Sequence, residues 1–204
     1  NQQHNVISEI RIPRDLGAIL VGMSLSVAGA VIQGVTKNEL ADPSLIGLNS
    51  GASFMLAITF AFYPNASFLM LMVAGFLGAM LGGFIVLTIG RSKRNGFNVM
   101  KIILAGVAVS SLLTALSQGI ALIFKLNQSL TFWIAGGVSG TTWEQLIWSG
   151  PIIIITIVIL IILSRQLTIL NLGESLAKGL GQNITFIRGI SLFLTMILAG
   201  IAVS

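Results

Sequence analysis

The chain has 204 residues, of which 55% are hydrophobic and only 8% are charged. A soluble domain carries about 25% charged residues, so this composition excludes an ordinary water-soluble fold and indicates a chain that lies in the lipid bilayer. Cysteine is absent and His4 is the single histidine, which excludes disulfides, thiol catalysis and clustered Cys or His metal sites. The sequence therefore predicts neither a metal site nor a cofactor.

Six apolar segments follow one another along the chain, and each is close to the length of a membrane span, about 20 residues. The second and third come from one uncharged run that Tyr63-Pro64-Asn65 divides. Five segments are long enough to span, and the sixth reaches the end of the chain at Ser204, where we expect it to be cut short. Because lipid forces each span to satisfy its own backbone, the sequence predicts an all-α, polytopic transmembrane bundle in one domain, residues 1–204. The predicted spans are 16–36, 45–62, 67–90, 102–124, 145–164 and 184–204.

Lysine and arginine are unequally divided between the two sides of this bundle. Eight of the eleven lie in the loops after the first, third and fifth spans, so the positive-inside rule makes that side cytoplasmic. The basic pI is thereby explained without a nucleic-acid partner. Residues 1–15 then lie outside the cell although they hold no hydrophobic signal segment. We therefore expect a further span upstream, and a chain that is a fragment of a longer protein.

The first predicted span carries a stripe of small residues at every fourth position. The stripe comprises Ala18, Gly22, Ser26, Ala30 and Gly34, and Gly78 and Gly82 form a shorter version in the third span. Small residues allow helix backbones to approach closely in lipid. We expect both stripes to be helix-packing faces, with pore lining as the alternative.

The fourth predicted span combines small and polar residues on one face. These residues are Gly106, Ser110, Thr114 and Gln118. A stripe that ends in glutamine is more polar than packing requires, so it predicts either a pore lining or hydrogen bonds between helices.

The uncharged runs at the centres of the spans restrict the mechanism. Ion-coupled carriers usually keep ionisable residues at membrane depth, and intramembrane enzymes need an acid, a base, a nucleophile or a metal ligand there. The sequence also holds no G-x-x-x-x-G-K-[ST] motif, so we do not expect this chain to hydrolyse ATP through a P-loop, and active transport would draw its energy from a separate subunit. The pattern argues against an ion-coupled carrier and against an intramembrane enzyme.

The loop predicted at 165–188 contains a short amphipathic helix. Leu172, Leu176 and Leu180 give it an apolar face. Asn171 is the expected N-cap, Glu174 lies in the first turn, where the helix dipole favours an acid, and Gly181 ends the helix. Only Lys178 adds a positive charge to its polar side, so a groove on a cytoplasmic partner fits this helix better than the membrane surface.

Two arginines lie at the outer end of the first span. Arg11 and Arg14 are separated by three positions and stiffened by Pro13. Guanidinium groups bind carboxylates in a bidentate manner, and an exposed pair steers an acidic partner. The alternatives are anchoring at lipid headgroups or a local pair with Glu9 or Asp15.

Three groups of motifs together resemble the signature of FecCD-type permeases, the membrane subunits of iron–siderophore and vitamin B12 ABC importers. The first runs from Arg11-Ile12-Pro13-Arg14 through Gly17 and Gln33 to Asn38-Glu39-Leu40-Ala41-Asp42-Pro43, Gly47 and Gly51-Ala52. The others are Leu104–Ala108 with Phe132–Gly137, and Leu172-Gly173-Glu174 followed by Ala177 and Leu180-Gly181. Glu39 departs from the family pattern, which usually has proline there. The resemblance covers essentially the whole chain.

This resemblance implies a type II ABC importer permease, of which the chain is similar to the second through seventh spans. It implies that Arg11 and Arg14 dock an extracytoplasmic substrate-binding protein. It also implies a bacterial cytoplasmic-membrane location, a second permease subunit, identical or paralogous, and a pathway for an iron–siderophore or related chelate. The coupling helix on a cytoplasmic ABC ATPase dimer would comprise Gly173, Glu174, Ala177, Leu180 and Gly181. The alternatives are an ion-coupled secondary transporter or channel, and a purely structural membrane subunit.

Overall fold

The computed structural model describes residues 6–39, 41–43, 47–92, 96–97, 99–126 and 137–203. These residues form seven α-helices: α1 Ile12–Thr36, α2 Leu48–Phe62, α3 Phe68–Gly90, α4 Val99–Ile123, α5 Trp143–Leu172, α6 Glu174–Gly179 and α7 Ile184–Val203. A π-helical turn, Ile7–Arg11, continues directly into α1, and a 3₁₀ turn, Gly137–Gly140, precedes α5. Two short antiparallel strands, β1 Arg91–Ser92 and β2 Gly96–Phe97, lie between α3 and α4. The prediction of an all-α transmembrane bundle is confirmed.

Five helices of the described part are long and apolar enough to cross a membrane: residues Ile7–Thr36, Phe68–Gly90, Lys101–Ile123, Trp143–Leu172 and Ile184–Val203. The short one is α2, with 15 residues, whereas the C-terminal α7 has 20. The predicted segment 184–204 corresponds to α7, and the predicted segment 45–62 corresponds to α2. At 1.5 Å per residue α2 is about 22 Å long, less than the roughly 30 Å of a bilayer core.

Helix α5 extends beyond the span predicted for it. It has 30 residues and ends at Leu172, so residues 165–172, which the sequence assigned to a loop, are helical. The charge of Arg165 suggested a boundary, but that side chain is exposed while Leu167 and Leu170 beyond it are buried. A long arginine side chain can keep its charge in water while the helix continues.

Contacts between residues at the helix termini identify the two ends of the bundle. The rings of Phe62, at the end of α2, and Phe124, just after α4, are 5.9 Å apart. At the opposite end, a Cβ on Gly34 of α1 would lie 3.4 Å from Nδ2 of Asn171 in α5. The end that carries residues 7–15 is called the arginine end below, and the other, which carries α6, is called the α6 end.

Helices α2 and α3 pack backbone to backbone. A Cβ on Gly51 would lie 2.9 Å from the carbonyl carbon of Gly78 and closer still to its oxygen, and a Cβ on Gly78 would meet the Gly51 carbonyl in the same way. One turn away, a Cβ on Gly82 would collide with the carbonyl oxygen of Gly47. The expectation that Gly78 and Gly82 form a packing face is confirmed, and their partners are Gly47 and Gly51.

The small-residue stripe on α1 behaves differently. Ala18, Gly22, Ser26 and Ala30 are exposed, and a Cβ on Gly22 would meet nothing within 4 Å. The partner of this face does not lie among the described residues.

Helix α7 joins the two parts of the bundle. One part consists of α2, α3 and α4, and the other of α1, α5 and α7. Helix α7 also packs against α3, and its Leu198 and Ala199 are fully buried. The core therefore lies along α7, between the arginine end and the α6 end.

Candidate functional site

The arginine end presents both predicted docking residues to solvent. Arg11 and Arg14 are exposed and lie where the π-helical turn passes into α1, with Pro13 buried between them. Neither arginine makes an ion pair with Glu9 or Asp15 in the described structure. Local pairing therefore does not account for the arginines, and both guanidinium groups are available to a partner or to lipid headgroups.

At the other end, α6 begins at a glycine. Gly173 is its N-cap, with φ 146° and ψ 146°, and Asn171 lies inside α5. The assignment of Asn171 as the N-cap was therefore wrong. The polar side chain fitted the capping pattern, but the chain actually breaks at the residue that can adopt positive φ.

The C-terminal end of α6 is fixed by the predicted glycine. Gly181 has φ +78°, and the next backbone N–H, that of Gln182, donates to the Ala177 carbonyl at 2.9 Å. This is a helix end that satisfies its last carbonyls through a left-handed glycine. Asn183 then caps α7, because its Oδ1 accepts the N–H of Phe186 at 3.1 Å. The capped ends of α6 and α7 thus fix where the short helix lies between α5 and α7.

Among the side chains of α6 that the structure describes, Ala177 is buried and an apolar side is exposed. Ala177 is fully buried and packs with Leu170 of α5 and Ile184 of α7. Leu176 and Leu180 are 57% and 69% exposed, so they are free to enter a groove on another protein. The backbone of Glu174 begins the helix, and its side chain lies outside the described structure. Leu40 and residues 132–136 of the quoted motifs also lie outside the described residues.

The polar stripe of α4 does not stay on one face. Gly106 is buried and Ser110 is half-buried, whereas Thr114 and Gln118 are exposed. A stripe with a spacing of four drifts by about 40° per step, since a helix has 3.6 residues per turn. The first residues of the stripe, Gly106 and Ser110, therefore face other helices of this chain, whereas Thr114 and Gln118 lie on the exposed surface.

A polar contact of α4 that the sequence stripe did not include is made by Ser117. Its hydroxyl is buried and donates to the Ser53 carbonyl of α2 at 3.2 Å. Hydrogen bonds of this kind join membrane helices. Only its partner in space distinguishes Ser117 from the neighbouring serines and threonines, so no sequence pattern marked it.

A partly open cavity of about 560 Å³ lies between α1, α2, α3, α5 and α7. Its polar lining comes from uncharged side chains such as Asn49, Ser53, Gln145 and Ser149. The cavity is separate from the exposed face of α4 that carries Thr114 and Gln118.

Comparison with known proteins gives consistent results. The whole chain, residues 1–204, matches the FecCD transport family. It is 41% identical over 203 residues to the iron(3+)-hydroxamate import system permease protein FhuB of Bacillus subtilis, covering 98% of this chain and 52% of that protein. It is 35% identical to the Fe(3+) dicitrate transport system permease protein FecC of Escherichia coli, covering 98% of this chain and 60% of that protein.

A solved structure of a metal-chelate type ABC transporter in an inward-facing conformation also matches. The TM-score is 0.86 at 29% sequence identity, with 98% of this chain and 64% of the other covered. The chain thus spans about half to three-fifths of the length of the curated relatives it matches.

Proposed function

The chain belongs to the FecCD transport family, and from that premise we propose that it forms the membrane-spanning part of a permease subunit in a binding-protein-dependent ABC importer. The substrate class is a ferric chelate, because the two relatives carry iron(3+)-hydroxamate and Fe(3+) dicitrate in their names. The observation that carries the proposal is the pairing of two exposed contact surfaces at opposite ends of one multi-pass bundle.

The arginine end is the proposed docking surface for the extracytoplasmic binding protein. Arg11 and Arg14 are both exposed, and two guanidinium groups on one helical segment match a cluster of carboxylates on the partner. Long-range attraction to an acidic surface raises the rate of encounter and orients the complex.

The α6 end is the proposed coupling surface for a cytoplasmic ABC ATPase. The exposed Leu176 and Leu180 supply apolar contact area, while buried Ala177 ties the helix to α5 and α7. Motion of α6 would therefore be transmitted to two membrane helices directly. Gly173 and Gly181 set the two ends of the helix, and Glu174 adds a charge at its start.

The translocation pathway is proposed to run along the exposed face of α4 in a dimer of permeases, homo- or heterodimeric. Thr114 and Gln118 face out of the chain, so a two-fold related subunit would enclose them. Gly106 and Ser110 then serve the packing of α4 against α2 and α3. The complex is expected in the bacterial cytoplasmic membrane, where the ATPase dimer supplies the energy.

Reversing both charges at the arginine end tests the docking proposal. In full-length permease in nanodiscs, Arg11→Glu with Arg14→Glu is expected to weaken the binding protein of its own transport system about 10- to 100-fold at low salt, because like charges then face each other. Affinity measured against rising salt should fall for the unmodified protein, since exposed charges are screened.

Arg165→Glu serves as the control, because Arg165 is also exposed but lies toward the α6 end. It should leave this affinity unchanged. Equal binding by the double variant and the control would remove the docking role from Arg11 and Arg14.

A further inference from the structure

The arginine segment, residues 7–15, is tied to the start of α5 by a side chain far along the sequence. The indole Nε1–H of Trp143 donates to the backbone carbonyl of Ser8 at 2.9 Å. Trp143 is the first residue of α5, and Ser8 lies in the π-helical turn that precedes α1. This contact connects two elements separated by 135 positions.

The Ser8 carbonyl lies in a turn whose backbone has the π-helical spacing. The backbone N–H of Ile12 donates to the Ile7 carbonyl, which is the π-helical spacing of five. Pro13 lies five residues after Ser8 and has no N–H to donate. The Trp143 indole N–H donates to the Ser8 carbonyl from outside the turn.

A second contact holds the segment on the other side of the arginines. Gly17 is buried in α1, and a Cβ there would lie 2.8 Å from Cγ2 and 2.9 Å from Oγ1 of Thr141. The contacts at Ser8 and Gly17 therefore bracket Arg11 and Arg14, three residues before the first arginine and three residues after the second. Both contacts are made by residues 141–143.

The residues that make these contacts lie at a hydrogen-bonded helix start. Thr142 caps α5, with its hydroxyl accepting the N–H of Gln145 and its own N–H donating to the Gln145 side chain. This capping box satisfies two backbone donors at the start of the helix. Trp143 therefore projects from an ordered helix terminus, so its position can define that of the arginine segment.

We infer that Trp143 is a positioning residue for partner docking: it holds the arginine segment on the start of α5 so that both guanidinium groups face an acidic protein surface in fixed register. This inference rests on the proposed function for its partner, and on the structure for the contact itself. Preorganisation of this kind strengthens binding because less ordering remains to be done in the complex.

The test uses two readouts: the mobility of a spin label reports on the Trp143–Ser8 contact, and the affinity for the binding protein reports on docking. Because the chain contains no cysteine, a spin label can be placed at the exposed Ile10 in cysteine-free full-length permease in nanodiscs. Trp143→Phe keeps an aromatic ring and removes the donor. Trp148→Phe is the matched control, since Trp148 is exposed on the same helix. We expect only Trp143→Phe to mobilise the label and to weaken docking of the binding protein about 2- to 10-fold, the effect of one hydrogen bond.

A second pair of variants tests the other contact. Gly17→Ala introduces a clash with Thr141 and should mobilise the same label, whereas Gly22→Ala has open space and should not. If Trp143→Phe leaves both readouts equal to those of Trp148→Phe, the inference is overturned. The inference is also overturned by a second combination of results. In that combination, Trp143→Phe mobilises the label but leaves docking unchanged, while the double variant Arg11→Glu with Arg14→Glu loses docking. If that arginine variant docks normally, the proposed docking role itself fails.

Discussion

Gly51→Ala or Gly78→Ala is expected to destabilise this protein by about 3 kcal/mol, near the upper end of the range for overpacking. A methyl group at either position would meet the backbone of the facing helix at less than 3 Å. Backbone cannot rotate away as a side chain can, so α2 and α3 must separate along their whole contact. A loss of about 3 kcal/mol changes the folding equilibrium about 100-fold.

The measurement is unfolding of the full-length permease in detergent by added denaturing surfactant, followed by tryptophan fluorescence. Gly29→Ala is the matched control, because a Cβ there would meet nothing within 4 Å and alanine is the better helix former. The control should unfold at or slightly above the surfactant concentration of the unmodified protein. Coincident unfolding curves for Gly51→Ala and Gly29→Ala would contradict the tight packing of α2 on α3.

Leu176→Asp combined with Leu180→Asp is expected to abolish assembly with the ABC ATPase and leave the fold intact. Both side chains are more than half exposed, so the folded permease loses little when they are replaced. In a complex each buried leucine contributes about 1.5–3 kcal/mol, and a buried carboxylate adds a desolvation cost. We expect ATPase affinity to fall about 100-fold or more, measured by co-purification of the full-length permease with the ATPase.

Ser175→Asp separates apolar contact from charge. Ser175 is exposed on the same short helix, so this variant adds one negative charge and keeps both leucines. A much smaller effect is expected from it. If Ser175→Asp disrupts assembly as strongly as the double variant, charge rather than apolar contact dominates the surface.

Features that depend on composition and local chain geometry could be predicted from the sequence alone. The scarcity of charge required a membrane bundle, and the uncharged runs located the six apolar helices, including the short α2, to within a few residues, apart from the end of α5. Gly181 lies just after α6 and has a positive φ, as predicted from its position after the apolar pattern. Such properties are local, so they are present before any tertiary contact forms.

Features that depend on a partner in space could not be predicted in this way. Stripes of small residues look alike on α1 and α3, yet Gly78 meets a facing glycine and Gly22 meets nothing. Trp143 resembles any aromatic residue at a membrane interface, and only the fold brings its indole to Ser8. The drift of Gly106 and Gln118 to different sides of α4 likewise matters only once α2 and α3 cover one side.

The coupling role of α6 is the central claim, and one comparison tests it most directly. Full-length permease is incubated with the ABC ATPase of its own transport system, and retention is compared for the unmodified protein, Glu174→Arg and Glu144→Arg. The control makes the same charge change in the first turn of α5, at the arginine end. We expect the ATPase to be retained by the unmodified protein and by Glu144→Arg and to be lost with Glu174→Arg. Absence of ATPase binding by the unmodified permease, or equal retention by both variants, would contradict it.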